Sequence, residues 1–464
     1  MSISNFKGKK VIILGLSVEG FDCVKFFAEH DALVTCADRR TKQELGNTYD
    51  LLKKYNVTFQ LGKSYLTHLD GYYMYVKTPG MSPRLPQITA LKKSGKEITS
   101  LTKLFFNLCK APIVGVTGTK GKGTTSTLIF QMLKQSGKRV YLGGNVGVPL
   151  LSQVDVITAH DVVVLELSSF QLEDLTKSPH VAVVLKITQD HLANYDPLAT
   201  NMHESRQDYI QAKKSIVRFQ TPDDFVIANA DDPTSNSFAS ETPARALRFS
   251  RNSDTSDAFV KDHAVFLNVN RNVIRVCDSS DIKLRGEHNL ENIAASALTA
   301  FTLGCSIEEI HNSVISFEGL EHRLQLVGSI KGVSYYNDSF STIPETTIAA
   351  IESFTEPIIL IAGGSEKGSD FNQMGKIIAE SSVKVLIAIG AMSKRIVHAA
   401  TNAGFKGKII TYLTTMHEVV STARFQSQSG DIVLLSPGCA SFDMFKNYKE
   451  RGNIFTYEVS LLKN

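Results

Sequence analysis

The densest concentration of groups able to do chemistry is the run Gly118-Thr119-Lys120-Gly121-Lys122-Gly123-Thr124. An apolar segment, Ile113 to Thr117, leads into it, and a helical pattern from Thr124 to Gln135 follows, with Gly137 as its stop. In that order, backbone N–H groups and a helix N-terminus converge where Lys122 can meet the β- and γ-phosphates of a nucleotide. The run is shorter than the usual phosphate-loop pattern, and Gly123 stands where a Ser or Thr hydroxyl normally reaches magnesium. Thr124, Thr125 or a water is therefore expected to complete the metal shell. A plain glycine turn with an exposed lysine is the competing reading; the strand, loop and helix order weighs against it.

Other reactive side chains also follow apolar runs. Glu166 ends Val162 to Leu165 and begins Glu166-Leu167-Ser168-Ser169-Phe170-Gln171-Leu172-Glu173. A carboxylate there can hold a hard divalent cation, although an acid ending a strand is commonly a solvated loop residue. Val181 to Thr188 is followed by Gln189-Asp190-His191, whose imidazole is a candidate ligand or base and equally a candidate surface residue. Lys213, in Tyr209-Ile210-Gln211-Ala212-Lys213, sits in a helical pattern where lysines are ordinarily solvated. Near the N-terminus, Gly15-Leu16-Ser17-Val18-Glu19-Gly20 with Asp38 beyond it approximates a dinucleotide fingerprint. Ser17 replaces the glycine that admits a pyrophosphate, so nicotinamide binding and a merely structural turn stay open.

The elements that must position these residues alternate. Lys10 to Leu16, an amphipathic stretch Gly20 to His30, and Ala32 to Ala37 make a β-α-β opening. Asp161 to Leu165, Val181 to Ile187 and Phe225 to Ala228 read as further buried strands, and Pro357 to Ala362, Val383 to Ile389, Lys408 to Leu413 and Asp431 to Leu435 as a last series. Such alternation predicts an α/β fold of parallel sheets with right-handed crossovers. At 464 residues the chain suits about three domains. Boundaries near residues 102 and 319 give spans 1–102, 103–319 and 320–464: a Rossmann-like domain, a central phosphate-loop ATPase-type domain and a second Rossmann-like domain.

Composition excludes several classes. A net charge of +4 without a dense Lys/Arg block argues against nucleic acid. Six dispersed cysteines without a C-x-x-C pair favour a reducing compartment and no structural zinc. No run reaches the ~18 apolar residues of a membrane span, and the N-terminus lacks a signal sequence, so a cytoplasmic protein without a membrane partner is expected.

With these residues in hand, the chain resembles the Mur ligases over essentially its whole length, and within them the glutamate-adding branch. The motifs that carry this are the Gly118 to Thr125 loop, Glu166 to Glu173, Asp190-His191, Tyr209 to Lys213, Gly286 to Asn292, Leu320-Glu321-His322-Arg323, Asn337-Asp338-Ser339 and Leu435 to Ser441, all in family order. The resemblance implies a cytoplasmic ligase that uses ATP and Mg2+ to join glutamate to UDP-N-acetylmuramoyl-L-alanine through an acyl phosphate, expected as a monomer. It assigns the UDP substrate to Ser17, Val18, Glu19, Asp38, Arg40, Thr78-Pro79-Gly80, Asn145 and Ser168, which removes the need for a nicotinamide cofactor. It gives the nucleotide to Gly118 through Thr124, Asn289, Asn292, Arg323 and Asp338, the last two reaching across from the third domain. It gives the metal to Glu166, His191, Thr124 and a Lys213 carbamylated by carbon dioxide, with Ser168 a further candidate ligand.

The incoming glutamate falls, by the same resemblance, to Thr342, Lys367, Ser441 and Tyr448. Here the chain departs from its family: Phe340 stands where the glutamate-adding enzymes have lysine, and Tyr448 where they have Phe. D-glutamate is favoured and L-glutamate stays open. Competing readings are a folylpolyglutamate-type ligase, which lacks the N-terminal domain, and a nucleotide-binding protein without catalysis.

Overall fold

The computed structural model describes residues 6–145, 148–188, 201–366 and 368–462. His191, Asp190 and Lys367 lie outside them. Among the described residues the strands form three sheets. The first has five parallel strands in the order Thr58–Leu61, Leu33–Asp38, Lys10–Leu14, Met74–Lys77, Ile98–Ser100. The second has nine, ordered Asn272–Asp278, Ala264–Val269, Ala258–Lys261, Arg245–Ser250, Phe225–Asn229, Val181–Val184, Ile113–Thr117, Val162–Glu166, Val140–Gly144. The third has six, ordered Gln325–Ile330, Val333–Asn337, Ile432–Leu435, Ile358–Gly363, Val383–Ile389, Lys408–Ile410.

The chain divides into two compact units, residues 1–279 with 290–314, and residues 280–289 with 315–464. Within the first unit the N-terminal and central sheets share one hydrophobic cluster. The Leu101–Leu108 helix contributes Leu104, Phe105 and Phe106 to it, and Leu150, Leu151 and Val154 join from the central region. The second unit packs Ile358, Leu360, Met374 and Ile396 on one face of its sheet and Ile359, Val420, Val433 and Phe455 on the other. Alternate residues of one strand thus serve two cores, the signature of a sheet covered on both faces.

Two expectations change. The sheets are not parallel throughout: Ala258–Lys261, Ala264–Val269 and Asn272–Asp278 pair antiparallel, as do Gln325–Ile330 and Val333–Asn337. Their two-residue turns place Asp262-His263, Asn270-Arg271 and Lys331-Gly332 at positive φ, the backbone that matches strand twist, with glycine at only one of the six positions. The phosphate-loop helix begins at Lys122 rather than Thr124, because Gly121 adopts a left-handed conformation (φ +84°) and turns the chain two residues earlier.

Candidate functional site

The loop leaves the fully buried Ile113–Thr117 strand, flanked by Val162–Glu166 and Val181–Val184. Register pairs Val116 with Glu166 and Thr117 with Val184, so loop and carboxylate open at the same sheet end. Gly118 (φ +149°) passes over Leu185, whose Cβ would lie 2.6 Å from an added methyl, and a methyl on Gly121 would lie 2.3 Å from Asn292 Oδ1. Both positions therefore exclude a side chain. The Lys122 ammonium folds back to donate to the carbonyls of Gly118 (3.1 Å) and Thr119 (2.9 Å). Thr119 is held from beneath: its N–H donates to Lys186 O, its hydroxyl accepts from Thr188 N–H at 2.9 Å, and it lies 3.1 Å from the Tyr209 hydroxyl. Lys120 is exposed, Gly123 buried and Thr124 half-buried.

Glu166 is 2% exposed, and its Oε1 accepts from Asn145 Nδ2 at 2.9 Å while Oε2 has no hydrogen-bond partner among the described residues. An uncompensated buried carboxylate oxygen costs several kcal/mol on the order of a full desolvation penalty. A divalent cation would compensate it, so the donor set fits Mg2+. No cluster of three His, Cys, Asp or Glu occurs among the described residues. Ser168 caps the next helical turn, accepting from Gln171 N–H at 3.3 Å and donating to Gln171 Oε1 at 3.0 Å, which leaves one hydroxyl lone pair for a ligand.

Lys213 is not solvated. It lies on the buried face of the Arg206–Arg218 helix, started by a Ser205 cap, and is 1% exposed. Its ammonium donates to Gly118 O (3.0 Å) and Thr117 Oγ1 (3.2 Å), at the root of the phosphate loop. Tyr209, four residues earlier on the same face, places its ring 4.7 Å from that ammonium. His203, which the motif reading passed over, is buried with Nε2 2.8 Å from Ser169 Oγ and stacked on Phe170 at 4.8 Å. Asn292 faces the loop with Thr125 Oγ1 at 3.4 Å, whereas Asn289 donates to Arg285 O at 2.6 Å in the other compact unit.

At the N-terminal turn, Gly15 (φ +98°) and Gly20 permit close crossing: a methyl on Gly20 would lie 2.0 Å from Gly15 O. Asp38 accepts from Leu16 N–H (2.7 Å) and from Arg40 Nε (2.9 Å) and Nη2 (2.8 Å). Burial raises its pKa, but the Arg40 guanidinium and the two backbone donors outweigh burial and hold the carboxyl below its ordinary value. Ser17 and Val18 are exposed at the start of the Val18–Glu29 helix, and Gly80 is exposed. Glu19 instead turns inward, accepting from Gln171 Nε2 at 2.7 Å. Burial pushes its pKa up to about 7 against the opposing pull of Gln171 and Lys77.

In the second unit, connections reverse direction between Ile358–Gly363 and Ile432–Leu435, and ligand crevices open beyond the carboxyl ends at such a point. The loops there are Gly363 to Glu366 and Ser436 to Ser441, joined by Ser365 N–H to Ala440 O at 2.8 Å. Ser441 is buried, Thr342 and Tyr448 half-buried. Asp338 accepts from Ser341 Oγ (2.5 Å), Ser436 Oγ (2.7 Å) and Leu324 N–H (3.1 Å), and burial pushes its pKa up to about 6 despite those donors. Asn337 donates to Gly452 O (2.9 Å) and Thr456 Oγ1 (3.0 Å) and lies 3.1 Å from His322 Nδ1. Arg451, missed in the sequence, is 1% exposed and donates to Ser339 Oγ, Ser339 O, Cys439 O and Ala440 O at 2.8–3.4 Å.

Parallel-rich sheets, a glycine loop between a strand and a helix, and a buried carboxylate beside it with one oxygen unpartnered among the described residues fit an α/β nucleotide-dependent enzyme. Residues 9–100 match the Mur ligase MurD-like N-terminal domain, 116–300 the Mur ligase middle domain and 322–439 the Mur ligase glutamate ligase domain. The chain is 38% identical over 457 residues to the UDP-N-acetylmuramoylalanine–D-glutamate ligase of Symbiobacterium thermophilum, covering 98% of each. It is 39% identical over 464 residues to the enzyme of the same name from Acetivibrio thermocellus, covering 98% of this chain and 97% of that one. In fold it is similar to the UDP-N-acetylmuramate–alanine ligase of Thermotoga maritima, with a TM-score of 0.61 at 14% identity over 98% of this chain and 99% of that one. The chain belongs to the Mur ligase family and is an ATP-dependent amide ligase. Among the described residues no helix is long and apolar enough to cross a membrane.

Proposed function

We propose that the chain joins glutamate to UDP-N-acetylmuramoyl-L-alanine in the cytoplasm, as a monomer, with domains meeting near residues 102 and 319. The observation that carries this is the Lys122 loop beside the buried, half-satisfied Glu166 carboxylate, in a chain whose relatives bear that ligase name along their whole length. The alanyl carboxylate attacks the γ-phosphorus of ATP, forming a P–O bond as ADP leaves. The glutamate amine then attacks the acyl carbon, and the tetrahedral intermediate expels phosphate and loses the amine proton.

Each step concentrates negative charge, so preorganised cations and N–H groups do most of the catalytic stabilisation. Lys122 and the amides of Gly118 through Thr124 neutralise the γ-phosphoryl group, with Asn289, Asn292, Arg323 and Asp338 as nucleotide residues. Glu166, His191, Thr124 and Lys213 as its carbamate would hold Mg2+, which supplies Lewis-acid polarisation of phosphoryl and acyl oxygens. Carbamylation turns a buried cation into an anion, which a site for a second divalent ion requires. The UDP substrate lies against the N-terminus of the Val18–Glu29 helix, with Ser17 and Val18 contributing there, Glu19 supporting the turn from within through Gln171, and Asp38, Arg40, Gly80, Asn145 and Ser168 around it. Thr342, Lys367, Ser441 and Tyr448 receive the acceptor.

The test is phosphate release from ATP and UDP-N-acetylmuramoyl-L-alanine with each glutamate enantiomer alone. D-glutamate should support turnover; release with L-glutamate only would reassign the acceptor, and release with neither would sink the reading.

A further inference from the structure

Arg323 sits between two residues of left-handed backbone, His322 (φ +62°) and Leu324 (φ +43°), a conformation rare outside glycine that persists only where the surroundings over-determine it. Here they do. His322 N–H donates to Gln325 Oε1 (3.1 Å), Leu324 N–H to Asp338 Oδ1 (3.1 Å), and Phe340 N–H to His322 O (2.9 Å). The His322 ring packs where a methyl on Gly452 would lie 2.3 Å from Nδ1. This strained turn delivers the Arg323 guanidinium onto the face of Phe340, 3.8 Å from the ring centroid. A second ring contact is as ordered: Phe340 meets Tyr448 perpendicularly (88°) with centroids 5.0 Å apart. Phe340 itself is 37% exposed, so burial does not account for an aromatic ring at this position.

We propose that Phe340 is a positioning residue that fixes Arg323 on its ring face and Tyr448 by a perpendicular ring contact, so that nucleotide and acceptor binding depend on one ring. A ring quadrupole attracts a cation above one face and favours a perpendicular aromatic neighbour, so one side chain can serve both neighbours at once. His322, next to Arg323 in the chain, also turns its ring toward Tyr448 (6.2 Å, 84°), but among the described residues only Phe340 offers Arg323 a ring face. The inference rests on the proposed roles of Arg323 in nucleotide binding and Tyr448 in acceptor binding.

Steady-state kinetics of Phe340→Leu, Phe340→Tyr and Tyr448→Leu test it, together with calorimetric titration of ADP, which needs no turnover. Phe340→Leu should raise KM for ATP and for glutamate together, each about five- to twentyfold, and weaken ADP by a similar factor, with kcat changed less. Phe340→Tyr, which keeps the ring, should return all three to within about twofold of the parent. Tyr448→Leu should raise KM for glutamate and also weaken ADP. If Phe340→Leu lowers only thermal stability, or shifts one KM alone, the coupling is wrong. An unmodified chain that fails to bind ADP overturns the nucleotide reading and this inference with it; ADP binding unchanged in Phe340→Leu overturns this inference alone.

Discussion

The phosphate-loop end of the central sheet and the crevice end of the C-terminal sheet solve the same problem with different material. Both gather polar groups beyond the carboxyl ends of buried parallel strands. The first is made of main chain: Gly118 and Gly121 stand where a Cβ would strike Leu185 or Asn292, and Lys122 and Lys213 both donate to backbone carbonyls of the loop. The second is made of side chains. Asn337, Asp338, Ser339, Ser436 and Arg451 hold one another below the surface. A backbone cradle is rigid because few conformations fit its φ values, whereas a side-chain network is rigid only while every donor has its acceptor. Damage should therefore show as lost turnover at the first and as lost stability at the second.

The largest effect is expected at Lys213. Lys213→Ala removes the buried amine that roots the loop and carries the proposed carbamate, and should lower kcat about a thousandfold or more in a chain that still folds, the cavity costing about 2–4 kcal/mol. A short carboxylic acid such as acetate should restore part of the rate by occupying the space of the missing carbamate. Full activity in the plain variant, or no rescue at any acetate concentration, would count against the carbamate.

The two ends were also unequally legible. Glycines with one lysine between a strand and a helix leave a mark in linear sequence, because each glycine is demanded by a local backbone conformation. The antiparallel hairpins left none: Asp262-His263 and Asn270-Arg271 make their turns at positive φ without the Asn-Gly or Asp-Gly pairs that announce such turns. Lys213 was readable only through family likeness, since its burial depends on packing against Thr117 and Gly118 almost a hundred residues away. Arg451 carries no such mark, being one charge among Lys446, Lys449 and Glu450. Its clue is the neighbouring Gly452, a residue unfavourable inside a helix, which tolerates the His322 imidazole at a distance no other residue would.

Arg451 is where the side-chain end should break first. Burial pushes its pKa down to about 10, so it stays charged at neutral pH, and its donors meet carbonyls and the Ser339 hydroxyl. Arg451→Met should cost about 3–5 kcal/mol, since the buried Ser339 and Cys439 acceptors lose their donors. The urea midpoint measures this. A Met variant within about 1 kcal/mol of the parent would mean that the network repacks and that the two ends do not differ as described.

Asp338 sharpens the contrast with a smaller, pH-dependent effect. Its carboxyl titrates at about 6 in the folded chain, against about 4 for an unfolded aspartate, because burial disfavours the anion more than its three donors favour it. The folded state thus binds this proton more tightly than the unfolded state. Its contribution is greatest below about pH 4 and is lost as pH rises through about 6, a change of about 3 kcal/mol at roughly 1.4 kcal/mol per pH unit. Asp338→Asn cannot ionise and should escape that loss, whatever its constant cost from presenting an NH2 group to the Ser341, Ser436 and Leu324 donors. The stability difference between parent and variant should therefore shift by roughly 2 kcal/mol in favour of the variant between pH 4 and 7, most of the full change. A difference that stays flat across that window would show that Asp338 ionises as readily as an exposed carboxylate, and that the crevice end is wetter than its hydrogen-bond network implies.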